Sequence, residues 1–431
     1  MKELIFRSWE PAFRDRLDRI CRRGEITSRA VEREVARIIE AVRRDGDEAL
    51  RALTLRYDGV TLRRGALQVP RKTLAAAARR LAPSALADLR LAARRITAFH
   101  RRQREHSWRY RDAAGITLGQ KIEPLGRVGV YVPGGRAVYP STVLMNVIPA
   151  KVAGVREVIA VSPPRPDGCA PAILAAAHIA GVDTFYQVGG AQAVAALAFG
   201  TDSIPSVDKI VGPGNIYVAT AKRLVFGQVG IDFVAGPSEI LVVADESASP
   251  ALVAADMLSQ AEHDELAAAI CVTPRAAVAS EVAAEIERQL ACLPRRQIAA
   301  RALRSYGAVV LTRTLREAVG LANTIAPEHL ELAVRRPERW IGEVRHAGAI
   351  FVGQSTPEAL GDYLAGPNHV LPTGGTARFA SPLGVYDFVK RSSIIAATPK
   401  ALRRLGPAVE RLAFMEGLTG HGLAVRRRLA P

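Results

Sequence analysis

Three side chains within residues 250–264 stand in a pattern that can do chemistry. Asp256, Gln260 and His263 follow one another at i, i+4 and i+7, so a helix there carries all three on one face. A glutamine oxygen and an imidazole nitrogen suit a hard-to-borderline cation, and a zinc shell needs a further carboxylate and imidazole from elsewhere. Asp362, between Gly361 and Tyr363, and His421, near the C-terminus, are available for that purpose. A polar helix face that is simply solvated satisfies the same spacing. A second cluster is Glu328-His329, a carboxylate beside an imidazole in the run APEHLEL. At a loop end between a helix and a strand, such a histidine can act as a general base near neutral pH, and the neighbouring glutamate can activate water in a separate step. A helix-end histidine beside a surface glutamate is the alternative. His178 reads as a core residue of an apolar helix, whereas His100, His106 and His346 sit in Arg-rich text and read as surface.

Common signatures are missing. The chain has no G-x-G-x-x-G, no G-x-x-x-x-G-K-[ST], no H-E-x-x-H and no G-x-S-x-G, so any nucleotide site must be atypical. What remains are glycine turns after strand-like runs, at Pro133-Gly134-Gly135, Gly189-Gly190 and Gly212-Pro213-Gly214, where backbone amides near helix starts can meet an anion.

The elements that must position these residues follow from periodicity. Residues 1 to about 110 read as helical, with Val31, Val35, Ile38, Ile39 and Val42 along one stripe. From Gly126 short β-branched runs alternate with apolar helical ones, and from about Ile231 a similar series begins again. That alternation predicts βαβ units and a parallel sheet with helices on both faces, twice over. The strand-then-glycine turns Val211-Gly212-Pro213-Gly214-Asn215 and Val234-Ala235-Gly236-Pro237-Ser238-Glu239 hint at duplication. After Thr356 the text turns to loop and hairpin material. It closes with a helix predicted from Pro407 to Glu416, with Gly417 as its C-cap, and a short tail carrying His421.

Composition bounds the function classes. The chain has 431 residues, 49% hydrophobic and 23% charged, which excludes a disordered or polytopic membrane protein. Lys+Arg 59 against Asp+Glu 42 leaves +17, a balance that suits a polyanion, yet no nucleic-acid-binding module is recognisable. Neither a nucleic-acid nor a membrane partner is expected. The opening stretch MKELIFRSWEPAFRDR lacks the apolar run of a signal peptide, so a cytoplasmic location is expected. Cys21, Cys169, Cys271 and Cys292 form no C-x-x-C pair and read as reduced, mostly buried thiols.

Several ordered segments together resemble histidinol dehydrogenase: VGVYVPGG, VGGAQAVAALAFGT, VDKIVGPGN, AGPSEILVVAD, DMLSQAEHD, APEHLEL, GDYLAGPNHVLPTGGTARFASPLGVYDF and MEGLTGHG. The resemblance runs from about residue 25 to the C-terminus. It implies one Zn²⁺ per subunit held by Gln260, His263, Asp362 and His421, the last supplied by the partner subunit of an intertwined homodimer. It implies Glu328 and His329 as the acid/base pair, Ser238 and Glu416 with His329 and the metal ligands as substrate contacts, and Tyr131, Gln192 and Asn215 as contacts to NAD. The implied reaction is a four-electron oxidation of L-histidinol through L-histidinal to L-histidine. The alternative within the family is a paralogue oxidising another small alcohol, such as a sulfonated diol; the acidic Glu416 suits the cationic histidinol amine instead.

The expected fold class is therefore α/β, with two Rossmann-like parallel-sheet domains lacking the usual glycine fingerprint and smaller N-terminal helical and C-terminal helical segments. The expected boundaries are 1–25 for an N-terminal helical arm, 26–125 plus 236–385 for the first α/β domain, and 126–235 for an inserted NAD-binding domain. Residues 386–431 are expected to form a helical segment and tail reaching the partner.

Overall fold

Runs such as EVIAVS and EILVVA are apolar at nearly every position, the pattern of strands buried on both faces of a sheet rather than on one. The computed structural model describes residues 2–23, 29–134 and 138–430, with the backbone alone at Lys2. Gly135, and the boundary expected between residues 25 and 26, lie outside the described residues. In chain order the strands are β1 (Ile5–Arg7), β2 (Gln68–Val69), β3 (Trp108–Arg111), β4 (Thr117–Pro124), β5 (Arg127–Tyr131), β6 (Glu157–Ser162), β7 (Thr184–Gln187) and β8 (Lys209–Val211). They continue with β9 (Gly230–Ile231), β10 (Glu239–Ala244), β11 (Ala268–Thr273), β12 (Ala308–Leu311), β13 (His329–Ala333), β14 (Ala349–Val352) and β15 (Val389–Ala396).

Two six-stranded sheets result, ordered β2-β7-β6-β5-β8-β9 and β1-β12-β11-β10-β13-β14. All pairings in them are parallel except the short β2, which runs antiparallel to β7. Each sheet is cored on both faces. In the first, Val128, Val130 and Ala160 pack to one side and Ile159, Val161 and Ile210 to the other; in the second, Ile240 and Val242 oppose Leu241 and Val243.

The two sheets share one strand order: a central first strand, two further strands to one side, then two to the other. Duplication is therefore visible in topology, but not where the sequence hinted at it. The turn at Gly212 follows β8, the fourth strand of its series, whereas the turn at Gly236 precedes β10, the first strand of the next, so the two likenesses are not equivalent positions.

Three expectations are corrected. Residues 29–101 cover the first sheet and not the second: Val35, Ile38 and Leu50 pack on one of its faces and Leu74, Ala92 and Ile96 on the other, because the covering helices for that sheet come from upstream as well as from its own crossovers. The N-terminal arm is not only helical, since Ile5–Arg7 pairs in parallel with Val309–Leu311 and forms an edge strand of the second sheet. The C-terminal segment opens with a strand: β15 pairs antiparallel with β4, which pairs with β3, making a small third sheet. The following helix, Pro399–Met415, starts eight residues before Pro407, under a Thr398 cap whose hydroxyl accepts from the Ala401 N–H at 3.1 Å, and Pro407 lies inside it. His421 is in a second helix, Thr419–Leu429, not in a loose tail.

Two histidines exchange their expected places, His100 being fully buried with Nδ1 at 2.8 Å from the Ile96 carbonyl oxygen, and His178 exposed. Among the cysteines, Cys169 and Cys271 are buried while Cys21 and Cys292 are exposed. Among the described residues no helix is long and apolar enough to cross a membrane.

Candidate active site

The strand order creates a crevice. In the first sheet the chain leaves β5 toward β6 on one side, while β8 lies on the other, so the carboxyl ends of β5 and β8 flank a topological switch point, where open α/β sheets bind ligands. Pro133, just past β5, and Pro213 and Gly214, just past β8, line a cavity of about 260 Å³. Its opposite wall is the amino-terminal edge of the second sheet, with Ser238 before β10, Glu328 and His329 at the start of β13, and Gln260 and His263 at the end of the helix Pro250–Ala261. That helix packs on the sheet through Val253, Met257 and Leu258, leaving Gln260 on its last turn to meet the cavity. The short helix Glu358–Tyr363 completes the wall, with Glu358 and Asp362 four residues apart on one face.

Glu328 and His329 are both buried. The Glu239 N–H donates to Glu328 Oε2 at 3.0 Å, and the His329 Nδ1 lies 3.1 Å from the Glu239 carbonyl oxygen. Burial pushes the Glu328 carboxyl up to about 8. Burial pulls the His329 imidazole down, but the carboxyls of Glu328 and Glu358, at 3.7 and 3.8 Å from Nδ1, and of Asp362, at 3.7 Å from Nε2, outweigh it and raise it to about 10. His329 Nε2 is buried without a hydrogen-bond partner in a group that faces the cavity.

The cation-ligating types converge on the same spot. Donor atoms of His263, Glu358 and Asp362 lie within 4.8 Å of one another. The Gln260 carboxamide abuts the Glu358 carboxyl, and since two acceptor oxygens repel, its orientation is the one in which the nitrogen donates to Glu358, which leaves the amide oxygen as its atom for a cation. Burial holds His263 below its ordinary value, which favours the neutral, ligating imidazole. Burial acts to raise Asp362, but His329, His369 and His263 around it win and hold it ionised. His263, Glu358 and Asp362, of mixed nitrogen and oxygen type with the Gln260 carboxamide beside them on the cavity wall, fit a zinc ion with room for further ligands.

Sequence reasoning missed four residues here. Glu358 orients Gln260 and takes a hydrogen bond from the Ser259 hydroxyl at 3.1 Å; its one signal was the i, i+4 spacing to Asp362. His369 lines the cavity with Nδ1 at 3.0 Å from the Asp362 carbonyl oxygen. Glu239 braces the pair from behind, and Arg23 is ion-paired to it. Asp256, by contrast, turns away to Glu331, burial raising both carboxyls so that the two keep a proton between them.

The remaining expected residues stand apart. Tyr131, Gln192 and Asn215 lie at βα turns of the first sheet without lining the cavity. Tyr131 is buried, its hydroxyl accepting from the Gly190 N–H at 3.1 Å; Gln192 is buried in the first turn of the helix Gly190–Phe199; and the Asn215 carboxamide caps the helix Ile216–Val225, accepting from the N–H groups of Tyr217 and Val218 at 3.1 Å. Glu416 and His421 are exposed on the C-terminal helix pair and do not reach this chain's own cavity.

Comparison with known proteins is unambiguous. The family model for histidinol dehydrogenase matches residues 21–429. The chain belongs to the histidinol dehydrogenase family. It is 57% identical over 413 residues to the histidinol dehydrogenase of Syntrophotalea carbinolica, covering 96% of each chain, and 53% identical over 414 residues to that of Aquifex aeolicus, again covering 96% of each. The crystal structure of histidinol dehydrogenase from Elizabethkingia anophelis superposes with a TM-score of 0.93 at 34% identity, covering 99% of this chain and 97% of that one. The protein is accordingly an oxidoreductase with this family's α/β fold.

Proposed function

We propose that this histidinol dehydrogenase family member oxidises L-histidinol through L-histidinal to L-histidine, the closing steps of histidine biosynthesis, using Zn²⁺ and NAD⁺ in a cytoplasmic homodimer. The observation that carries the reading is the meeting of a buried Glu-His pair with three cation-ligating side chains around one cavity at a sheet switch point. Gln260, His263 and Asp362, with His421 of the partner subunit, would hold one zinc per subunit. When bound, zinc supplies a template that chelates the amine and imidazole nitrogens of the substrate, and NAD⁺ supplies the hydride acceptor.

The chain's own residues do the rest. His329 Nε2, without a hydrogen-bond partner on a residue that lines the cavity, takes the hydroxyl proton as the carbinol C–H bond breaks. Asp362, if it held zinc, would push less on His329, favouring the neutral ring a base needs. Glu328 takes a proton from the water that adds to the aldehyde, and oxidation of that hydrate yields the carboxylate. Glu416 of the partner's C-terminal helices meets the substrate's cationic amine, and Ser238 contacts the substrate from the cavity wall. Tyr131, Gln192 and Asn215, at the βα turns of the first sheet, would be the residues that hold NAD⁺. Exposed Leu412, Phe414, Met415 and Leu418 on the C-terminal helices support burial against a second copy. The sulfonated-diol alternative is not favoured, since relatives above half identity carry the histidinol dehydrogenase name.

The deciding experiment is the ratio of NADH formed to histidinol consumed, with and without chelator. Two NADH per substrate, lost on chelation and restored by Zn²⁺, is expected; no turnover of histidinol by the zinc-loaded protein would sink the substrate assignment.

A further inference from the structure

Glu239 meets the Glu328–His329 pair with its backbone and is itself immobilised through its side chain. Its N–H holds Glu328 Oε2 at 3.0 Å, and its carbonyl oxygen stands 3.1 Å from His329 Nδ1. A carbonyl oxygen can only accept, so this contact puts the ring proton on Nδ1 and leaves Nε2 as the nitrogen with the free lone pair. Nε2 is the atom that is buried and unpartnered. One residue therefore sets the position of both groups of the pair.

Its own anchor lies outside the site. Glu239 Oε1 accepts from the Gly374 N–H at 2.8 Å, while Oε2 is ion-paired to the Arg23 guanidinium, both side chains being 1% exposed. Arg23 stands at the end of the N-terminal helix Pro11–Arg22, where its guanidinium also donates to the Ile20 carbonyl oxygen at 2.6 Å and to that of Pro237 at 3.4 Å. A buried ion pair contributes little net stability over an apolar pair of the same size, so its presence calls for another account. What it does supply is a fixed position for residue 239.

We propose that the Arg23–Glu239 pair is the positioning device of the Glu328–His329 couple, fixing the carboxylate's place and the imidazole's tautomer. The proposal rests on the acid/base roles given above. Arg23 and Glu239 are positioning residues, since neither side chain lines the cavity.

The test uses the zinc-loaded, full-length enzyme carrying Arg23→Met with Glu239→Gln. Removing both charges avoids leaving one buried and alone, the usual reason such variants fail to fold. We expect kcat for histidinol oxidation to fall about tenfold or more, as a sub-ångström misplacement of a catalytic group can cause, with both KM values within about twofold. ¹⁵N spectra of histidine-labelled protein, assigned by difference against His329→Asn, read the tautomer directly. They should show His329 protonated at Nδ1 in the parent and a mixture in the double variant. Unchanged kcat with one tautomer in the folded double variant overturns the proposal; so does the opposite tautomer in the parent, a measurement that needs no variant to fold. Glu328→Gln and His329→Asn run alongside separate the two readings. If they keep full turnover, the acid/base assignment and the positioning role fall together, whereas if they lose it and the double variant does not, the positioning role falls alone.

Discussion

Glu328 and His329 are adjacent in sequence yet have separable tasks, because one is a carboxyl pushed up by burial and the other an imidazole with a single bare nitrogen. His329→Asn should slow alcohol oxidation by about two to four powers of ten, the range of a lost general base, whereas Glu328→Gln should mainly slow oxidation of the aldehyde. Assaying the two half-reactions separately decides this, and equal losses in both would refute the division. Asp58 offers a test of stability. It ends the helix Arg29–Asp58, where a negative charge is disfavoured, its buried Oδ2 has no partner, and burial raises it to about 6. A carboxyl that binds its proton more tightly in the folded chain contributes stability below its unfolded value, near 4, and loses it as pH rises through 6. Asp58→Asn should therefore stabilise the protein at pH 8, by about 1 kcal/mol once its partial exposure is allowed for, and leave it unchanged at pH 4. Thermal melts at both values check the sign. At this scale the sequence was informative wherever residue type and spacing sufficed, as for Gln260, His263, Glu328 and His329. It was silent on Glu358 and Glu239, whose roles arise from contacts 99 and 90 residues away, at Ser259 and His329.

The elements show the same division between local and distant. Short continuous apolar runs alternating with apolar helical ones marked the long strands and helices of both sheets, because burial on both faces leaves a nearly continuous apolar signal. The three-residue β1 and two-residue β2 were illegible, as strands that short carry no periodicity and exist only through their partners. Pro407 misled for a physical reason: proline favours a first helical turn, but here the Thr398 cap starts the helix earlier. The glycine turn after β8 is demanding. Gly212 has φ +108°, and a Cβ there would lie 2.2 Å from the Tyr131 carbonyl oxygen. Gly212→Ala should thus cost about 2–4 kcal/mol in chemical unfolding, while Gly181→Ala, at φ +79° with nothing within 4 Å, should cost about 1 kcal/mol. Equal costs would show that backbone conformation alone, and not the close approach to β5, limits the turn.

For the whole molecule, the cavity takes the carboxyl edge of one sheet and the amino edge of the other, so neither sheet holds a complete site. If the partner's His421 completes it, subunits with different lesions should complement. A heterodimer of His329→Asn and His421→Ala chains contains one intact site of two, so mixed and exchanged subunits should recover about a quarter of the parent activity by random pairing. No recovery after verified exchange would place His421 in its own chain's site. The assignment of residues 29–101 to the wrong sheet shows why such relations escape sequence: an amphipathic stripe announces that a helix is covered, not by what.

The pairing of Ile5–Arg7 with β12 has a practical side. This three-residue edge strand covers β12, whose apolar residues Val309 and Val310 would otherwise stand at a bare strand edge, a template for sticking to other chains. Affinity tags or proteolytic trimming at the N-terminus are therefore not neutral choices for this protein. A preparation clipped before Ser8 should aggregate on storage, and purification handles belong elsewhere on the chain.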